Sequence, residues 1–539
     1  MTRLMSPSPA LLRKVLPFPL AVMAAAVGGC LQTVQRQVHG ADAAADGQRP
    51  VLPSVVYANA PDFLKAHTRS GHVVRFTSWT IDTAARTVSG PGQRFDLNRQ
   101  AGDSGGTHTV SLDSVVLFES NRVLKHTSAA LTVVSGVSLG ATAACAANPK
   151  ACFGSCPTLY VGDGTARSLE AESFSSSVSP SLEATDVDAL PGLVAVNGVA
   201  TVHVRNEALE THNIRSMTLL AVEHAPGSRV YATESGAFWL ASRTLAPQQC
   251  AASEGSCLDA VRAAGGGERS TRVDPRDLAA RETLELTFPA THAPQIGLVL
   301  RARQSLVSTF LFYQTLAWMG SSAGGWFAAL ERGDSVAHRQ ARLASDALGG
   351  IEVQQPQQDG TWRTVATTAE HGPLAADVRL LPLSARSAND SGPVRVRLRL
   401  SKGAWRIDQV ALAELVRPAT VAALQPATVL REQRRGTTAD PEALARLRDS
   451  TRFLTTTPGD GYAVQYRVPA TSQQLSYFVA VRGYYLEWMR QEWLAEENPV
   501  AAAALLADPA RAMKALAPRF AALEPTMERS FWGSRHALR

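Results

Sequence analysis

Cys152-Phe153-Gly154-Ser155-Cys156-Pro157 sets two thiols four positions apart. Paired thiolates suit a soft metal such as copper, or a dithiol–disulfide couple. On one extended strand their Cα atoms would stand about 13 Å apart, beyond bridging range, but Gly154 permits a turn that closes them. Cys145 is an equally open partner for either thiol, and one of the three is then left over or pairs between chains. Cys250 and Cys257 bracket a small polar loop, Ala251–Ser256. A disulfide closing so short a ring stabilises by about 2–3 kcal/mol in the chain-entropy picture.

The C-x-x-x-C-P run resembles the copper site of Sco-type assembly proteins, where two thiolates and a distant histidine hold the metal. That family places it on a strand-to-helix turn of a thioredoxin-like fold, whereas Leu159–Val161 followed by Gly162-Asp163-Gly164 reads as strand and turn. A structural disulfide corner is the expectation, with a copper or thiol-redox module at Cys152 and Cys156 as an alternative. Gly102-Asp103-Ser104-Gly105-Gly106 matches the nucleophile signature of trypsin-like serine proteases. The chemistry also needs a histidine base and an aspartate, and neither His67 nor His72 sits in a matching motif. A Gly/Asp/Ser-rich turn explains these residues more simply.

His203, Glu207, Glu210, His212, Glu223 and His224 fall close together, yet show no H-E-x-x-H and no paired C-x-x-C spacing. No catalytic residue, metal site or cofactor is therefore assigned. Seven of the nine tryptophans lie after residue 304, which invites a glycan-binding face, although tryptophans on helices are more often core. Arg395, Arg397 and Arg399 alternate along one strand about 6.7 Å apart. With Trp405 nearby they are the binding candidates, since guanidinium groups pair bidentately with phosphates and acidic glycans. A solvated sheet face is the plainer explanation, and six lysines against 47 arginines dilute the meaning of any one arginine.

The chain opens with Arg3, Arg13 and Lys14, then an apolar stretch from Val15 to Val27. Thirteen residues of helix cover about 20 Å, short of a hydrocarbon core, so this reads as a secretory leader. It ends in Val27-Gly28-Gly29-Cys30, which resembles the lipobox of bacterial lipoproteins. The resemblance implies cleavage before Cys30, acylation of that cysteine with palmitate-type chains, and a lipid bilayer as partner. Leu31 in place of aspartate implies, by the same resemblance, the outer membrane. Gln32–Pro53 reads as a flexible spacer. Loss of the three leader cations lowers the net charge from +6 to +3, a weak basis for nucleic-acid binding, which is not expected.

The body of the 539-residue chain reads as short strands followed by helices. VVRFTSWTI, RTVSG, RFDL and HTVSLDSVVLF recur between Val73 and Glu119 with Gly, Pro and Asp punctuation. Val199–Arg205 alternates Ala200, Val202 and Val204 against Thr201, His203 and Arg205, and Ile214–Val222 and Ile296–Arg303 continue the pattern. Ser305–Met319 and Trp326–Leu348 form a helical pair. Ile351–Gln355, Thr361–Ala366 and Val394–Leu400 return to β. Val394–Leu400, leading into Trp405-Arg-Ile-Asp-Gln-Val410, resembles the closing strands of galactose-binding-like jelly rolls. Pro441–Leu447, Tyr485–Leu494 and Val500 to Arg529 read as helices, the last interrupted at Asp508-Pro509 and Ala517-Pro518.

The fold class is therefore mainly β with α segments. It comprises several antiparallel β-sandwich or jelly-roll-like domains, a helical hairpin insert and a helical C-terminal segment. The divisions are a leader 1–29, a tether 30–60, a β-rich domain 61–190 with the three clustered cysteines, and a sandwich 191–303. A helical pair 304–348, a jelly-roll-like domain 349–415 and a mixed, then helical, segment 416–539 complete the chain. The order of segments, with CFGSCP early and RGYYLEW late, resembles an uncharacterised family of bacterial envelope lipoproteins, which supplies no activity. The functional expectation is an outer-membrane-anchored binding or scaffolding protein of the cell envelope, with glycan or an envelope protein as partner. A hydrolase of envelope polysaccharide or peptidoglycan is the other alternative.

Overall fold

The computed structural model describes residues 31–40, 51–58, 64–68, 70, 72–82, 84–95, 101–125, 156–162, 167–208, 210–265, 267–368, 372–385, 392–433, 436–488 and 496–533. The chain is mainly β, in five sheets whose ladders are antiparallel, with a smaller set of helices. This is the expected class. Among the described residues no helix is long and apolar enough to cross a membrane.

Residues 31–125 form an eight-stranded sheet over a small core of Leu64, Ala66, Val74, Phe76, Val88, Val110, Val115 and Phe118. Its first two strands, Leu31–Gly40 and Val51–Ala58, pair with Leu31 opposite Ala58. They fall where a flexible spacer was expected. The Ala/Gln/Asp composition hid β-rich runs such as Val51–Ala58, and Pro53 is tolerated because that strand is the sheet edge.

Two sandwiches follow, and the second is inserted into the first. Residues 156–224 and 422–487 build a six-stranded and a five-stranded sheet around Leu159, Val202, Val204, Leu219, Val464, Tyr466, Val479 and Val481. Residues 229–418 build the second pair of sheets around Leu286, Phe288, Leu298, Leu300, Val396, Leu398, Trp405 and Ile407. The segments 191–303 and 349–415 therefore do not close separately. Arg281–Ala290 pairs with Pro393–Ser401, and Ile296–Gln304 lies between Trp405–Pro418 and Asp377–Pro382. Alternation fixes which face a strand buries but not which strand it meets. Val394, Val396, Leu398 and Leu400 all point into the core, as their spacing requires.

Where the sandwiches meet, Val222, Val230, Ala232, Phe238, Leu240 and Phe478 form their own apolar cluster, with Phe238 and Phe478 edge to face at 4.9 Å. Beside it Arg379 of the second sandwich reaches Asp186 at 3.1 Å, Asp188 at 3.6 Å and the Val187 carbonyl of the first. Asp377 at 2.9 Å and Glu234 at 3.8 Å complete its surroundings.

Among the described residues the helices of eight residues or more are α1 (Val307–Met319), α2 (Ala323–Glu331), α3 (Ser335–Leu348), α4 (Pro441–Arg448), α5 (Pro499–Ala507) and α6 (Pro509–Gly533). Gly320, at φ 51°, ends α1, and Asp334 caps α3 by accepting from the Val336 and Ala337 amides at 2.9 Å. Two expectations at the C-terminal end are corrected. Tyr485 lies not on a helix but on the strand Gln474–Glu487, which pairs with Glu210–His224. Tyr477, Val479, Val481 and Tyr485 are buried with a strand's period of two. The expected interruption at Pro518 is absent, because Met513, Leu516, Ala517 and Phe520 bury against the second sandwich while Pro518 faces solvent.

Candidate functional site

A cleft of about 840 Å³ opens where the first sandwich meets the helices and the second sandwich. Its walls come from five places. The first sandwich supplies Cys156, Glu172, Ser175, Ser176 and Val178; α1 supplies Leu311, Phe312 and Leu316; α3 supplies His338, Ala341 and Ser345. Leu505, Leu506 and Met513 of α5 and α6 close one side, and Arg281, Glu352, Thr364 and Thr367 of the second sandwich the other. The size falls within the range of small-molecule sites.

Specific bonds hold these walls. Tyr313 of α1 donates to Glu487 at 2.6 Å and Gln314 to Glu496 at 3.1 Å, while Arg519 of α6 pairs with Glu496 at 3.1 Å. The Asn498 amide donates to the Trp318 carbonyl at 2.9 Å, which seats α5 beside α1. Trp326 of α2 donates to Gln340 of α3 at 3.0 Å. Arg281 donates to the Leu348 carbonyl at 2.7 Å and thereby caps α3. Across the sandwich boundary, Glu172 accepts from the Leu374 amide at 2.7 Å.

Several ionisable groups of the lining are committed to structure, while Arg342 and Asp346 of α3 are exposed. Glu352 pairs with Arg399 at 2.6 Å and accepts from Thr364 at 3.3 Å. His338 donates through Nε2 to the Leu330 carbonyl at 3.0 Å. Burial, and then the carboxylates of Glu172, Glu210 and Asp186, push the Cys156 thiol well above its ordinary range. A thiol held protonated is a poor nucleophile and a poor metal ligand.

The sequence candidates are dispersed. Cys30, Cys145 and Cys152 lie outside the described residues; Cys156 is a buried free thiol. Cys250 and Cys257 form the expected disulfide, with Cα atoms 5.1 Å apart. Arg397 and Arg395 sit 4.1 and 5.4 Å over the Trp362 ring and share Glu285, at 2.6 and 3.7 Å. With Arg399 on Glu352, the stripe is largely neutralised across the strands, which favours the solvated-face explanation. Trp405 is 1% exposed and cannot offer a ring to a ligand; it is core of the second sandwich.

The histidine–glutamate group splits apart as its strands diverge. His203 bonds Glu432 at 2.6 Å, His212 bonds Glu210 at 2.9 Å with both buried, and His224 meets Ser476 at 2.9 Å. Glu207 accepts from Tyr160 at 2.8 Å. Among the described residues no group of three or more such side chains is placed to hold a metal. Gly102–Gly106 lies within the strand Ala101–Ser111 rather than a turn, and His67 stacks on Trp488 at 4.7 Å.

Sequence reasoning missed the cleft. Its lining is drawn from distant segments, and the one local signal is the serine-rich run from Ser173 to Ser181. No family model matches the chain, and no curated protein matches it. The structure of the T13 IBDV viral particle is 9% identical over 95% of this chain and 97% of that chain, with a TM-score of 0.13. That of the Gx strain of infectious bursal disease virus is 10% identical over 93% and 94%, with a TM-score of 0.11. Likeness at those scores carries no argument.

Proposed function

We propose that this chain is a lipid-anchored binding protein of the bacterial outer membrane, and that the cleft between its sandwiches and helices is the working site. The leader ending at Cys30 supports the address. The observation that carries the binding reading is the cleft itself: about 840 Å³, walled by both sandwiches and by α1, α3, α5 and α6, with its charged groups tied into the scaffold. Of the tryptophans that suggested a glycan, Trp405 lies in the core and Trp362 beneath two arginines, while Trp326 lines the cleft.

Two experiments test the reading. Labelled palmitate is expected to enter the full-length protein and to fail to enter Cys30→Ser; equal labelling of both would overturn the address. Native mass spectrometry of protein isolated from its own membranes is expected to show a small-molecule adduct that Ala341→Trp, which fills the cleft from α3, loses. An adduct that survives the substitution, or none at all, would overturn the binding site.

A further inference from the structure

We propose that the ligand of the cleft is a single-chain amphiphile, an acyl chain carrying a small polar head. This rests on the reading of the cleft as the binding site. α1 reads Val-Ser-Thr-Phe-Leu-Phe-Tyr-Gln-Thr-Leu-Ala-Trp-Met and α5 reads Pro-Val-Ala-Ala-Ala-Ala-Leu-Leu-Ala. Neither helix carries a charge, and a helix that is apolar on most of its circumference needs apolar cover on more than one side. The second sandwich covers one side, where Phe310 of α1 and Ala502 of α5 join its core. Above the buried Leu311, Leu316, Leu505 and Met513, the cleft is lined by Val178, Phe312, Trp326, Ala341, Leu506 and Ala512, which keep part of their apolar surface open. Apolar walls of that kind reward a flexible hydrocarbon, which gains in proportion to the apolar area it removes from water. They offer little to a polyhydroxylated sugar, whose hydroxyls would need partners along its whole length.

The polar wall lies on the second sandwich and the end of α3. Thr364 and Thr367 are exposed there, with Ser345 beside them. Hydroxyls suit an uncharged, carboxyl or zwitterionic head. A multiply phosphorylated head would need several cations together, yet Arg281 is engaged with the Leu348 carbonyl and Ser401, which leaves the exposed Arg342, with Asp346 on the same helix, as the cation of that wall. The cleft thus pairs an apolar trough with a polar, hydroxyl-bearing end.

The test is fluorescence titration of the delipidated, purified protein with cis-parinaric acid. Competition by saturated fatty acids of increasing length, by a lysophosphatidylcholine and by maltohexaose follows. Saturable binding is expected, displaced by the fatty acids and the lysolipid but not by the sugar. Competitor affinity should rise with each added methylene by up to about fourfold until the trough is full. Ala341→Trp and Thr309→Trp, each checked for an unchanged melting profile, should weaken the probe by about tenfold or more. Displacement by the fatty acids but not the lysolipid would assign a free carboxyl head; displacement by both would assign the chain as the recognised part, and either supports the proposal. Maltohexaose binding that Ala341→Trp abolishes, with no parinarate binding, would overturn the acyl-chain assignment and leave the cleft as a site. Parinarate binding untouched by both substitutions would overturn the assignment, and absence of binding by every probe would overturn the site as well.

Discussion

Arg379 is the sharpest place to perturb the joint between the sandwiches. Burial works against its charge, but Asp377, Asp188, Asp186 and Glu234 outweigh that and hold its pKa above the usual arginine value. Arg379→Met keeps much of the volume and deletes the cation that these carboxylates share. Breaking a buried ion pair from one side costs about 3–5 kcal/mol. The partners differ, however. Burial, then Asp186 and Asp377, raise the Asp188 carboxyl well above its ordinary range, and Arg379 only partly opposes them. A raised carboxyl binds its proton more tightly folded than unfolded. Its contribution is fully present below the unfolded pKa of about 4 and is lost as pH rises through the folded value. Asp188→Asn, which mimics the protonated form, should therefore leave stability near neutrality unchanged or higher and flatten its fall with pH. The assay is the melting temperature across about pH 5 to 8, followed by calorimetry. Arg379→Met should melt lowest at the alkaline end and recover part of the loss towards acid, as the carboxylates protonate. An Arg379→Met protein as stable as its parent, or an Asp188→Asn protein destabilised by more than about 1 kcal/mol at neutral pH, would refute this reasoning.

Three further outcomes follow. Burial raises the Glu432 carboxyl, but its bonds to His203 and Arg167 lower it further, to about 2; this stability is present above about pH 4 and lost as pH falls, so Glu432→Gln should cost about 2 kcal/mol at pH 7 and much less in acid, read by urea denaturation at both values. Replacing Cys250 and Cys257 by serine opens a bridge of sequence separation 7 and should cost about 2.5 kcal/mol, with no further loss on adding reductant. Cys156 should resist Ellman's reagent in the native protein and react on unfolding, since it is buried and held protonated; rapid native labelling of that thiol would contradict the burial.

Local periodicity made the strands readable and left their partners hidden. Val394–Leu400 shows its buried face in its own spelling, and Val199–Arg205 buries Ala200, Val202 and Val204 as alternation requires. Nothing in either stretch says that Val396 lies opposite Leu286 or Val202 opposite Val464. The insertion of one sandwich into the other is a property of those long-range pairings, so boundaries drawn at residue 303 and residue 349 cut through a single core. Tyr485 shows the opposite failure, in which a helix expected from Tyr485 to Leu494 hid a β-alternation already present from Tyr477. The Cys250–Cys257 bridge was legible because both partners are near in sequence. The cleft was not, because Glu172, Leu316, Ser345, Thr364 and Leu506 are gathered only by the fold.

The central claim is tested most directly by a crystal structure of the protein isolated from its own membranes without delipidation. Continuous density for a chain-like molecule is expected in the cleft, along the wall formed by α1, α3 and α6 and ending near Thr364 and Thr367. A cleft holding only ordered water, with any copurified molecule bound on another surface, would contradict it.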